Sequence, residues 1–161
     1  MQTLLPLAEK IAAILKDRKQ NIAVAESTTG GLVSAALLSV PGASTYYVAG
    51  ALVYTLKARR TMLDVPDAAF AHIKSVTEEG AMILARAART RFGVTWTIAE
   101  IGASGPTGNR YGDKAGHSCI AVAGPVERSL TVETGSPDRL ANMRTFSAAA
   151  LNLLLESMSA S

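Results

Sequence analysis

Apolar positions change period several times along the chain, and the changes mark its elements. Leu4, Leu5, Leu7, Ile11, Ile14 and Leu15 recur at helical spacing, which predicts an amphipathic helix over residues 3–19 capped by Thr3. Ile22-Ala23-Val24-Ala25 is a short apolar run and predicts a buried strand over 22–26. A helix over 30–39 follows, closed by Pro41-Gly42. Residues 46–53 are aromatic and β-branched enough for a second strand, with Gly50 as a bulge. Thr55 caps a short helix through Met62 and Leu63, Pro66 ends it, and a further helical turn falls at 68–73. Thr77 opens a stronger helix to about residue 91. Glu78 and Glu79 sit in its positive first turn, Arg86, Arg89 and Arg91 crowd its negative end, and Gly93 stops it. A strand over 94–100 comes next, then an irregular stretch over 102–116 rich in Gly, Pro, Asn and Asp. Two strands, 117–123 and 126–134, meet at Gly124-Pro125, and Pro137 suits the first turn of a last helix to residue 158. Helices alternate with strands in the first half and a hairpin closes the second. The prediction is α/β: a single three-layer α/β/α domain over residues 1–161 with a mixed, mostly parallel sheet.

The chemistry concentrates where the first strand gives way to a helix, at Ala25-Glu26-Ser27-Thr28-Thr29-Gly30-Gly31. That context puts Ser27 at the carboxyl end of a strand, beside a helix N-terminus whose free N–H groups favour an anion. Paired glycines allow close approach of backbone to ligand. The plainer alternative is a strand-to-helix connection in which a hydroxyl serves as N-cap.

A second glycine-rich segment, 102–113, also follows a strand, and ligands of open α/β sheets bind beyond such ends. Here Arg110 is a candidate for a phosphate and Asp113 for a ribose hydroxyl; the alternative is a floppy surface loop. A third segment, Tyr54 to Arg60, places a tyrosine at a strand end and Lys57, Arg59 and Arg60 in the next helix, either as a site or as a solvated basic face. His72 and His117 read as surface or packing histidines. With the single Cys119 they form no metal-ligand pattern and no Ser-His-Asp arrangement, so no metal and no cofactor are expected.

Composition narrows the partners. An apolar fraction of 48% with 18% charged residues is that of a soluble globular protein, and no apolar run reaches the roughly 18 residues of a membrane span. No secretory signal is evident and one cysteine suits a reducing compartment, so a cytoplasmic location is expected. The net charge is +3, but the cations are scattered and aromatics do not interleave with them. A small anionic ligand is therefore expected rather than nucleic acid or membrane.

These residues resemble a family: the C-terminal domain of the competence/damage-inducible protein CinA and its stand-alone relatives, the nicotinamide mononucleotide amidases (PncC). The resemblance covers almost the whole chain. It rests on Ala25-Glu26-Ser27 with Thr29-Gly30-Gly31, then Val40-Pro41-Gly42-Ala43-Ser44, Gly50 through Tyr54, Leu63 with Val65, Gly105-Pro106-Thr107-Gly108, and Arg139 before the final helix. It implies Ser27 as nucleophile, assisted by Tyr54 and by the residue five positions on. The family has lysine there; this chain has Arg59, which stays protonated and cannot accept a proton. Lys57 is two positions away, which on a helix is roughly 200° of rotation. Thr28 stands where the family usually has cysteine, and Ile101 and Ser104 where it has threonine and alanine.

The resemblance implies hydrolysis of nicotinamide mononucleotide to nicotinic acid mononucleotide and ammonia by a homodimer. Catalytic positions are then Ser27, Tyr54 and Arg59. Substrate-binding positions are Glu26, Thr29, Gly30, Gly31, Gly105, Thr107, Gly108, Arg110 and Arg139, with the amides of 29–31 as an oxyanion hole. The alternative is a non-catalytic protein that binds or senses a pyridine nucleotide on the same fold.

Overall fold

A computed structural model describes residues 1–161. Five strands form one sheet in the order β2-β1-β3-β4-β5: β1 Ile22–Glu26, β2 Tyr47–Leu52, β3 Trp96–Ala103, β4 His117–Ala123 and β5 Arg128–Glu133. β1 pairs in parallel with β2 and β3; β3–β4 and β4–β5 are antiparallel. Four of the five strands thus run the same way, and β4 alone is reversed. Helices α1 Leu5–Asp17, α2 Leu32–Leu38 and α5 Arg139–Ser159 pack on one face through Ile11, Leu37 and Leu154 against Val24, Ile98 and Ile120. Helices α3 Leu56–Leu63 and α4 Glu78–Phe92 pack on the other through Leu63 and Leu84 against Ala25, Ala99 and Ala121. This is the three-layer α/β/α domain with a mixed sheet that the apolar pattern predicts.

β1 is where the topology reverses. The chain leaves β1 through α2 to β2 on one side, then crosses through α3 and α4 to β3 on the other. Such a switch point opens a crevice beyond the carboxyl ends of the two diverging strands. Ser27 follows the last residue of β1, so the fold delivers it to that crevice.

Several local expectations need correction. Thr3 does not cap α1; Leu4 holds the N-cap position with no side-chain bond, and Pro6 suits the first turn. Pro137 lies outside α5, whose N-cap is Asp138, its carboxylate accepting from the Ala141 N–H at 3.0 Å. The irregularity in β2 falls at Val48, between the pairs Ile22↔Tyr47 and Ala23↔Ala49, not at Gly50. β3 runs on to Ala103 because Gly102 still pairs with Ser118; a Cβ at Gly102 would meet the His117 carbonyl oxygen at 2.7 Å. The glycine there lets two backbones approach rather than ending the strand. Thr55 and Thr77 cap α3 and α4 as predicted, each at 3.1 Å from an amide three residues on.

Candidate active site

A cleft of about 590 Å³ lies beyond the carboxyl ends of β1 and β3. One wall is Ser27 and Thr28 after β1, with Ile101 and Gly102 of β3. The second is Tyr54 and Thr55 before α3, with Lys57 and Arg59 on it. The third is Asn109, Arg110 and Tyr111 of the irregular segment. Ser27, Tyr54, Arg59 and Arg110 therefore share one cleft. Its lining contains three cations and no carboxylate.

Ser27 is 7% exposed. Its Oγ forms no hydrogen bond within the protein, so no side chain is already bonded to it as a base. Its turn is instead held from below. Glu100, fully buried on β3, accepts from Ser27 N at 3.3 Å, Thr29 N at 2.9 Å, Thr29 Oγ1 at 3.2 Å, Ser118 Oγ at 2.8 Å and Thr28 Oγ1. A buried carboxylate is costly unless donors surround it, and five donors do so here. Glu100 and Ser118 were not among the sequence candidates. A lone acid inside the apolar run of β3 is the signal that would have found Glu100, since burial demands donors from some other element.

The expectation that the amides of 29–31 face the cleft is not met. Glu26 is a cap, not a cleft residue. Its carboxylate accepts from Gly31 N at 2.9 Å, Val33 N at 3.1 Å, Ser34 N at 2.8 Å and Ser34 Oγ at 2.5 Å. The protein thus fills the helix N-terminus with an anion of its own. Thr29 N goes to Glu100, and Gly30 N closes a turn onto the Ser27 carbonyl at 3.3 Å. Neither Thr29, Gly30 nor Gly31 lines the cleft. The Thr28 N–H, in contrast, has no acceptor in the protein. It belongs to the residue directly after Ser27, and in strand–turn–helix hydrolases the residue after the serine supplies one oxyanion donor.

Tyr54 is 56% exposed, and its hydroxyl accepts from Arg139 Nη2 at 3.4 Å. Arg139 also donates from Nη1 to the Gly105 carbonyl at 2.7 Å. It ties the tyrosine to the start of the irregular segment rather than lining the cleft. Gly105, Thr107 and Gly108 are outside the lining as well. Gly108 packs against the Asp113 backbone, and Gly105 is set against the Pro137 carbonyl.

The loop 109–113 closes on itself: Asn109 Oδ1 accepts from the Tyr111 and Asp113 amides at 2.9 and 3.1 Å, and Asn109 Nδ2 donates to Asp113 Oδ2 at 2.9 Å. Asp113 also pairs with Lys74, which anchors the loop rather than leaving it floppy. Burial opposes the Asp113 charge, but the bonds from Lys74 and Asn109 prevail and hold its carboxyl below the usual range. Arg110 lies over the Tyr111 ring and donates to its hydroxyl at 2.8 Å. Asp113 is thus the fastener of the wall, not part of its face.

Arg59 is 6% exposed. It donates from Nη1 to Ser75 Oγ at 2.7 Å and lies 5.3 Å from the Phe70 ring centre. Its Nε is buried without any partner. Burial lowers the guanidinium pKa, and nearby Arg110 lowers it further. Lys57 lines the same cleft from the first turn of α3, nearer the rim and exposed. The offset on the helix therefore separates the two cations by depth, not by face. His117, paired with Glu133, and Cys119, whose thiol burial pushes up to about 11, lie away from this cleft.

The family model of the CinA C-terminal domain matches residues 4–158, and the chain belongs to that family. It is 36% identical to a CinA-like protein of Chloroherpeton thalassium over 98% of this chain and 38% of that protein. A CinA-like protein of Anaeromyxobacter sp. is 35% identical over 92% of this chain and 36% of its own length. The chain thus spans a little over a third of these relatives. Among solved structures, the competence-damaged protein (CinA) superfamily protein of Enterobacter cloacae superposes with a TM-score of 0.89 at 27% identity, covering 96% of this chain and 92% of that one. The competence/damage inducible protein CihA of Agrobacterium tumefaciens gives 0.88 at 25% identity over 95% and 94%.

Proposed function

We propose that this domain is a serine-dependent amidohydrolase that converts nicotinamide mononucleotide and water into nicotinic acid mononucleotide and ammonia. The observation that carries the reading is the unbonded Ser27 hydroxyl in a cleft lined by Lys57, Arg59 and Arg110 and by no acid. Three cations without a counter-charge favour an anionic ligand, and the mononucleotide's phosphate supplies the anion.

In this reading Ser27 Oγ attacks the carboxamide carbon and its proton passes to Tyr54. The carbonyl oxygen gains charge against the Thr28 N–H. Arg139, already donating to the Tyr54 hydroxyl, orients that oxygen as a relay, which takes the Ser27 proton as the phenol's own proton passes on toward the departing nitrogen. The C–N bond breaks with a proton delivered to the nitrogen, and water then opens the Ser27 ester to the carboxylate. The reaction needs no metal or cofactor. Proton NMR of the pyridine ring checks it: the protein converts the amide to the acid, and Ser27→Ala does not.

A second reading has a specific observation behind it. Nothing in the protein bonds to Ser27 Oγ, and Arg59 stands where the family has lysine. A domain that binds the nucleotide without hydrolysing it fits both facts, and binding without any turnover identifies it.

The family resemblance also leads to a homodimer, and the single cysteine, scattered charge and short apolar runs lead to a cytoplasmic location without nucleic-acid or membrane partners. No helix is long and apolar enough to cross a membrane. β2 is an edge strand that exposes half of both Val48 and Leu52, a surface suited to a second copy. Light scattering at micromolar concentration should give twice the chain mass; a monomer mass contradicts the dimer.

A further inference from the structure

We propose that the Nε/Nη2 edge of Arg59 is a two-pronged seat for two oxygens of one anionic group, a phosphate monoester or a carboxylate. The choice of ligand rests on the function proposed above, whereas the seat rests on the geometry.

Arg59 is held from two sides. Ser75 takes Nη1 at 2.7 Å, and Phe70 lies beside the guanidinium, 5.3 Å from ring centre to Cζ. What remains is the edge carrying Nε and Nη2. Nε is buried and has no partner, and neither nitrogen bonds to any group of the protein. A desolvated donor with nothing to bond is expensive, and a charged one more so. No carboxylate pairs with Arg59, although Arg86 shows what that edge does when one is present. Arg86 uses the same two nitrogens to grip Glu127, Nε to Oε1 at 2.9 Å and Nη2 to Oε2 at 2.5 Å. The Arg59 edge is the vacant counterpart of that grip, on a residue that lines the cleft.

The requirement of two oxygens defines the ligand class. A carboxamide offers one oxygen acceptor and a donor nitrogen, which matches a single N–H at best. A phosphate monoester or a carboxylate offers two oxygens at the spacing of the fork. Because Ser75 and Phe70 already fix the plane, little freedom is lost on binding. Lys57 and Arg110 in the same lining add charge at longer range. Lysine at position 59 would lose the fork.

The test reads the Arg59 Nε–H directly by NMR of ¹⁵N-labelled protein, its signal assigned by its loss in Arg59→Lys. Inorganic phosphate, nicotinate and nicotinamide riboside are titrated separately. The signal should move, saturably, with phosphate or nicotinate and stay in place with the riboside, which carries no anion. Calorimetry should show the effective anion binding Arg59→Lys about tenfold or more weakly. A response to phosphate alone assigns the seat to the phosphate end of a nucleotide; a response to nicotinate alone assigns it to the acid product. A signal that neither anion moves overturns the proposal. Because the measurement needs no turnover, a protein that responds here but releases no ammonia sinks the amidase and leaves the seat standing.

Discussion

Arg59→Lys is expected to raise turnover of nicotinamide mononucleotide by about 10²-fold, the lower end of what a positioned general base contributes, because the parent has only the exposed Tyr54 to take the serine proton. Arginine cannot accept the serine proton at any working pH. A lysine in its place would enter a site that is 94% shielded from solvent, with no carboxylate paired to it and Arg110 nearby. Desolvation and a like charge both lower an ammonium pKa, which brings the neutral amine into reach. The same change removes the fork, so KM should rise while kcat rises. That split separates a restored base from a general improvement in folding or binding. A parent that is fully active and loses activity on Arg59→Lys would make arginine a working part of another mechanism.

Glu100→Leu should cost about 3–5 kcal/mol, because it leaves buried donors of three residues in the Ser27 turn without an acceptor and Ser118 with only its 3.3 Å bond to the Ile101 carbonyl. At this chain length that is about 10–15 °C in Tm. Glu100→Gln keeps one acceptor oxygen and should lose less, about 1–3 kcal/mol. The amidase reading adds a consequence that stability alone does not. In Glu100→Gln, at temperatures where it remains folded, kcat should fall because the Ser27 turn loses its lower support. Thermal unfolding followed by circular dichroism gives the first result, and steady-state rates give the second. An unchanged Tm in Glu100→Leu would mean that the turn is held by something other than this carboxylate.

The fold was legible because period and punctuation agreed. Thr55 and Thr77 preceded amphipathic runs, Gly93 followed one, and both threonines are caps. The strand–turn–helix at Ser27 was legible for the same reason. What the pattern could not show is where polar groups end up once elements meet. Glu26 looks like a binding residue in a line of letters, but its nearest unsatisfied donors are the amides that open α2, the helix after its strand. Glu100 supports Ser27 across a distance of 73 residues, a pairing that only the β1–β3 neighbourhood creates. Gly102 reads as loop because glycine is rare in strands, yet the close approach of His117 is what requires it. Arg59 and Tyr54 were found from the segment's chemistry. The bonds that give them character, to Ser75, Phe70 and Arg139, come from segments distant in sequence.

The most direct test of the central claim is ammonia release from nicotinamide mononucleotide, measured side by side for the purified parent and Ser27→Ala. The account predicts release above background by the parent, with nicotinic acid mononucleotide formed in equal amount, and a loss of about 10³-fold or more in Ser27→Ala. Equal release by both proteins would contradict it, since the hydroxyl in the cleft would then play no part in the chemistry.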